Sequence, residues 1–260
     1  MLEQLYEAFA RYEAEFYAAL DESLHPRGPE VLLELVERMG LPAGSRAVDV
    51  GCGEGRHSLE LARRFGFDVV GVDPVAWHVE VARASADSGV RFELGAAEEL
   101  PLEEASVELV WCRDVLTHVA DLERAYAEFR RVLRPGGRAL VYQAFAGPRL
   151  EPREAAWLWG TLGVVPTSAD PARAEAAISA AGLRVDETID LSEWGEWAEE
   201  DSGKGGRRLL HASRLLRDPR RYVDPFGQAA YETMLADCLW HVYGMIGKLE
   251  RRAYVLSKAA

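Results

Sequence analysis

Val48 to Ser58 reads VDVGCGEGRHS and gathers the residue types best suited to holding a small charged ligand. An apolar run ends in Asp49-Val50, and Gly51, Gly53 and Gly55 follow before a helical pattern begins. A residue without Cβ lets the backbone turn sharply and approach a ligand closely. Nicotinamide and flavin sites use a similar strand–turn–helix, so the turn alone names no chemistry. The spacing here is G-x-G-x-G, not the G-x-G-x-x-G that admits a pyrophosphate at a helix N-terminus. Asp49, two places before the first glycine, suits a cationic group such as an amino-acid ammonium better than a phosphate.

Asp73 closes the next apolar run, Val69 to Asp73, about twenty residues beyond the turn. A carboxylate there can accept both hydroxyls of an adenosine ribose; the alternative is a turn or N-cap aspartate ahead of Pro74. His118 is a candidate base because an unperturbed imidazole titrates near neutrality; a backbone hydrogen bond at a helix start is its competing role. His57, beside the turn, reads as structural. Arg113 and Asp114 could cap a helix or meet a ligand carboxylate. His25 precedes Pro26-Arg27-Gly28 in a loop that could fold over a ligand, and His211 and His241 lie in a later helical stretch. Cys52, Cys112 and Cys238 are widely spaced and lack metal-ligand spacing, so neither a metal nor a disulfide framework is expected.

These residues need elements to position them. Valine-rich runs at 46–50 and 68–72, continued at 91–94, 107–112 and 138–144, read as buried parallel strands. Leu122, Tyr126, Phe129 and Leu133 mark one face of a helix that Pro135-Gly136-Gly137 stops, and 31–39 and 57–65 read as helices. Alternation of this kind predicts an α/β fold, a doubly wound Rossmann-like sheet, mostly parallel and seven-stranded, with helices on both faces. Residues 148–171 read as irregular, 171–181 as a helix, and 183–191 as a strand. Residues 192–248 carry no strand signal. Leu235, Leu239, Val242 and Ile246 mark one amphipathic helix there, and Leu209, Leu210, Leu215 and Leu216 another, before a last strand at 252–257. The expected organisation is an N-terminal helical cap (1–45), a core (46–191 with 249–260) and a helical lid insertion (192–248). Leu5, Phe9, Tyr12 and Phe16 lie at helical spacing with Tyr17 beside them, a stripe that reads as core.

Composition narrows the function classes. The chain has 260 residues, 48% hydrophobic and 28% charged, which suits a globular protein with a sizeable core. Acidic residues outnumber basic ones 43 to 30, giving a net charge of −13, and this disfavours a nucleic-acid partner. The basic stretch from Arg214 to Arg221 reads as a solvated helix face. No apolar run is long enough to span a membrane, and Met1 to Ala10 lacks a basic-then-apolar leader, so the cytoplasm is expected. Monomer and homodimer are both open.

Five motifs recur in order: VDVGCGEGRHS, VVGVDP, GAAEELPL (Gly95 to Leu102), SVELVWCRDVLTHV (Ser106 to Val119) and RVLRPGGRALVY (Arg131 to Tyr142). Across Arg46 to Tyr142 the chain resembles the class I S-adenosylmethionine-dependent methyltransferases, in particular their small-molecule branch. The resemblance implies S-adenosylmethionine as cofactor and a small molecule as methyl acceptor at oxygen, nitrogen or carbon. It implies that Asp49 and the backbone at Gly51, Cys52 and Gly53 hold the methionine end. Asp73 would hold the ribose, with Pro74 beside the adenine, Ala97 and Glu98 on the adenine edge, and the main chain near Cys112 at the ammonium. Ala96 stands where relatives commonly carry an aspartate toward the adenine amino group. The resemblance also puts His118 near the methyl-transfer face and substrate choice in the lid, with Tyr17, His25, His211 and Trp240 as candidate lid residues. Trp194, Trp197, Tyr222, Phe226, Tyr231 and Tyr243 add aromatic surface there, as pocket wall or as the insertion's own core. Competing readings are an RNA or protein methyltransferase and a nucleotide-binding oxidoreductase.

Overall fold

The computed structural model describes residues 19–20, 30–86, 89–192 and 206–259. The N-terminal aromatic stripe, Tyr17, His25, Trp194 and Trp197 lie outside the described residues.

Seven strands form one sheet: β1 (Arg46–Val50), β2 (Asp68–Asp73), β3 (Val90–Leu94), β4 (Val107–Arg113), β5 (Leu133–Ala146), β6 (Arg184–Asp190) and β7 (Leu249–Ser257). Their order is β3-β2-β1-β4-β5-β7-β6. β1 to β5 are mutually parallel, and β7 runs antiparallel to both β5 and β6. The first connection off the sheet's middle turns back at β1/β4, and a parallel sheet offers a ligand crevice at that reversal, outside the strands' carboxyl ends.

Side chains alternate across this sheet and both faces are buried. Val48, Val50, Val70, Val72, Val110 and Val141 pack on one face with α4 (Leu122–Val132) and α6 (Pro171–Ala180). Ala47, Val69, Leu109, Trp111, Leu140 and Tyr142 pack on the other with α1 (Val31–Arg38) and Leu61 of α2 (Arg56–Phe65). A strand buried on both sides needs apolar residues at every position, which is why these strands read as continuous runs. α3 (Ala76–Ala84) crosses from β2 to β3 over a smaller cluster of Cys52, Val79, Ala82 and Phe92.

Two expectations are corrected. Residues 148–171 were expected to be irregular, but α5 (Pro152–Leu162) occupies much of that stretch. Pro152 sits in the first turn, where a missing N–H costs nothing, and Glu151 and Glu154 close a reciprocal capping box. Trp159 is a buried anchor of this helix. The leucines at 209, 210 and 216 do not form a buried face: in α7 (Arg207–Arg217) all three are exposed, and Leu215 and Ala212 are the buried pair. After α8 (Arg220–Phe226), α9 (Gln228–Met245) packs on α7 and on α5, using Leu235, Ala236 and Cys238; Ile246 lies beyond its end, exposed. β5 also starts earlier than its apolar run, at Leu133, with a register shift between the Val107 and Leu109 pairings that accommodates Pro135-Gly136-Gly137. Among the described residues no helix is long and apolar enough to cross a membrane.

Candidate functional site

The glycine turn leaves β1 at the carboxyl edge of the sheet. Gly51 N and Cys52 N both donate to the Val72 carbonyl, at 2.7 and 3.1 Å, so the turn is pinned to the neighbouring strand. Gly51 has φ +73°, and a Cβ there would lie 2.1 Å from Val115 Cγ2. Glycine is therefore required twice over, by backbone conformation and by the segment after β4 packed against it. Gly53, at φ +53°, differs: a Cβ there would meet nothing within 4 Å. Among the described residues nothing covers its bare backbone on that side, the geometry of a surface that a ligand can approach closely.

Asp73 organises the turn from β2. Gly53 N donates to its Oδ2 at 2.9 Å and Val75 N to its Oδ1 at 2.9 Å. His78 Nδ1 lies 3.1 Å from Oδ1. A carboxylate has about four acceptor positions, and with two partners on Oδ1 and one on Oδ2, Oδ2 keeps capacity for a ligand hydroxyl. Beside it the register pairs Asp73 with Leu94, and Val75, Trp77 and Leu94 present exposed apolar side chains at the ends of β2 and β3. Pro74 is exposed in the same place, Ala97 is buried, and Glu98 is half-buried with its carbonyl accepting from Arg124 Nε at 2.8 Å.

Asp49 is only 2% exposed and accepts from Ser58 Oγ at 2.6 Å, tying the strand to the first turns of α2. Burial raises its pKa to about 6, against the lowering pull of the Ser58 hydrogen bonds and of Arg113. Cys52 and Cys112 are buried thiols, their pKa values pushed up by burial and then by Asp49. Cys112 lies beside Val50 in register, so its backbone runs next to the turn.

A second set of groups gathers where β4 and β5 end and β7 begins. Arg113 Nη1 donates to His57 Nε2 at 2.8 Å, which fixes the neutral tautomer of that ring. Burial, then Arg113 and Arg56, lower the His57 pKa to about 4. Asp114 follows in a left-handed backbone conformation, φ +57°, an uncommon state for a residue with a side chain, and its N–H donates to the Tyr142 carbonyl at 3.0 Å. Its side chain is 47% exposed, although it sits deep in the edge, where burial raises its pKa against Arg113, Arg251 and His241. Arg251, on β7 opposite Ala144, is 5% exposed, and among the described residues its buried Nη1 has no hydrogen-bond partner. Its guanidinium fits because α9 offers Gly244 there: a Cβ would lie 2.0 Å from Nη2. Among the described residues no cluster of His, Cys, Asp and Glu has the makings of a metal site.

The structure thus brings Asp49, Gly51, Cys52, Gly53, Asp73 and Cys112 around one turn, with Pro74, Ala97 and Glu98 at the flank toward β3. It sets other candidates apart. His118 is exposed on a 3-10 turn (Leu116–His118), its Nδ1 3.1 Å from the Gly163 carbonyl beyond α5. Trp240 packs edge-on against Trp159, ring centres 5.9 Å apart, within the core shared by α5 and α9. His211 lines a groove among α7, α8 and α9. Sequence reasoning missed His78, Tyr142 and Arg251 as members of this edge; only the strand register brings them in.

Residues 48–141 match the family model described as a methyltransferase domain. Over 179 residues the chain is 31% identical to methyltransferase GfsG of Streptomyces halstedii, covering 66% of this chain and 64% of that one. The chain spans between about a quarter and two-thirds of the length of the curated relatives it matches. Among solved structures, the cyclase SpnF superposes with a TM-score of 0.70 at 22% identity, covering 89% of this chain and 80% of that one. A Haemonchus contortus phosphoethanolamine N-methyltransferase bound to S-adenosylhomocysteine superposes with a TM-score of 0.69 at 21% identity, over 90% of this chain and 54% of that one. At such identities the superpositions establish the fold alone. Across residues 48–141 the chain carries a methyltransferase domain similar to that of the class I S-adenosylmethionine-dependent methyltransferases.

Proposed function

We propose that this protein transfers the methyl group of S-adenosylmethionine to an oxygen, nitrogen or carbon of a small molecule. The observation that carries this is the turn itself: among the described residues nothing lies over the bare backbone of Gly53, while Asp73 is fixed against it. The residues present fit the cofactor. Gly51, Cys52 and Gly53 would hold its methionine end through main-chain groups, with Asp49 beneath them and the main chain at Cys112 alongside. Asp73 would accept the ribose hydroxyls, and Pro74, Leu94 and Trp77 would flank the adenine, with Ala97 and Glu98 on its edge. When bound, the cofactor supplies an electrophilic methyl group on a sulfonium, so the difficult chemistry is its own.

The chain's residues then have to orient an acceptor, exclude water and take up a proton where the acceptor carries one. Asp114 is the group best placed for the last task. It lies beside Val115, which packs directly on Gly51, and it combines exposure with a pKa raised by its deep position. Arg113 and Arg251 then favour its ionised form. His118 is the second candidate, its ring oriented by the Gly163 carbonyl. The helices between β6 and β7 are proposed as the lid over this edge, α9 bringing His241 and Gly244 to Asp114 and Arg251.

A small molecule is favoured over nucleic acid by the net charge of −13. Incubation with methyl-labelled cofactor and a panel of phenols, alcohols, amines and carbon acids tests the reading. Label in a small product supports it; label only in precipitable RNA or protein overturns it.

A further inference from the structure

The arginine stretch from 214 to 221 takes no part in methyl transfer as described, and its surroundings are not those of a plain solvated helix face. α7 and α9 run antiparallel, held by the Arg208–Asp237 ion pair and by the Tyr231 hydroxyl donating to the Leu215 carbonyl at 3.4 Å. α8 closes one end, and the three helices enclose a concave groove of about 440 Å³. Its walls are Leu215, Tyr222, Phe226, Tyr231 and Met234, and Phe226 and Met234 are 71% and 52% exposed. Large apolar side chains left open inside a concavity of this size are the makings of a small-molecule site rather than of a flat protein interface.

Charge says which kind of molecule. Arg214 and Tyr222 line both this groove and an adjoining hollow that holds Arg217 and Arg221. Asp218 also lines the hollow, its Oδ1 3.4 Å from the Arg221 N–H. No carboxylate forms an ion pair with Arg214, Arg217 or Arg221 among the described residues. Three guanidinium groups against the single carboxylate of Asp218 at one end of an apolar groove, in a chain of net charge −13, present a local reversal of sign. Guanidinium forks match carboxylates geometrically. The groove is also remote from the reaction edge: Tyr231 and His241 are ten residues apart on α9, about 15 Å at the helical rise.

We propose that the α7–α8–α9 groove is a second binding site, for an amphipathic carboxylate whose apolar part lies on Phe226, Tyr231 and Met234 and whose anionic end meets Arg214 and Arg221. It stands apart from the cofactor site and does not depend on the methyl-transfer reading.

Calorimetry on the full chain tests it with decanoate, decanol and decyltrimethylammonium, each below its micelle concentration. Decanoate is expected to bind with one-to-one stoichiometry, at least fivefold tighter than decanol, with the cation weaker than either. Arg214→Ala combined with Arg221→Ala should bring decanoate down to the level of decanol. Met234→Trp, which fills the groove, should weaken both. S-adenosylhomocysteine binding, measured on every variant, reports folding and tests the cofactor site separately. Equal binding of decanoate and decanol, or decanoate binding unchanged in the double arginine variant, overturns the proposal. So does binding of a single-stranded oligonucleotide without decanoate, or a dimer in sedimentation that Met234→Trp dissolves.

Discussion

His57 and Arg113, 56 residues apart in sequence, are joined by a 2.8 Å hydrogen bond in which the guanidinium donates to Nε2. The bond couples the first turn of α2 to the end of β4, and it holds the imidazole neutral. The His57 pKa of about 4 lies below the ordinary value of 6.5, so the folded state disfavours the protonated ring. The stability this contributes is fully present above the unfolded value and is lost as pH falls toward 4. Urea unfolding at pH 7 and pH 5 should show a loss in the wild-type protein that is smaller in His57→Gln. An equal loss in both would remove His57 as its source.

Asp73→Ala should weaken S-adenosylhomocysteine binding at least tenfold, roughly the 1.4 kcal/mol of one good hydrogen bond to a charged group. It should also lower the melting temperature, since Gly53 N and Val75 N both lose their acceptor. Calorimetry and thermal unfolding read the two effects separately, and unchanged affinity would refute the ribose assignment.

Gly51→Ala meets two obstacles, the positive φ and Val115. Backbone strain alone costs about 1–2 kcal/mol. A double-mutant cycle with Val115→Ala should recover the steric part and leave the strain. Full recovery would mean that φ is unimportant there; no recovery would mean that Val115 is not the obstacle.

If Asp114 takes the acceptor's proton, Asp114→Asn should lower turnover by about 100-fold while S-adenosylhomocysteine affinity stays within twofold. Because burial raises this carboxyl's pKa, the wild-type rate should climb with pH as the group ionises, and that limb should vanish in the variant. A variant retaining both rate and limb would return His118 to first place.

How far the sequence was legible follows from how local each feature is. β1, β2 and β4 are buried on both faces, so their valine runs announce them directly. The turn and Asp73 lie within one strand–helix–strand unit, and their spacing carries the signal along the chain. α5 was hidden because Pro152, with Gly147 and Pro148 shortly before it, masks a start that is in fact well capped. Arg251 has no local mark at all. It joins Asp114 only because β7 pairs antiparallel with β5, which sets position 251 opposite 144. Likewise nothing around His57 foretells Arg113; the pairing of β1 with β4 makes them neighbours.

The reversed seventh strand has a wider consequence. Leu191 N donates to the Arg251 carbonyl at 2.8 Å, so the chain leaves β6 and returns to β7 at almost the same point. Everything between stands on two adjacent feet. A segment with neighbouring ends can be lengthened, shortened or exchanged at little cost to the framework beneath it. Evolution, and protein engineering by grafting, can thus exchange this segment for another while the sheet beneath it stays untouched.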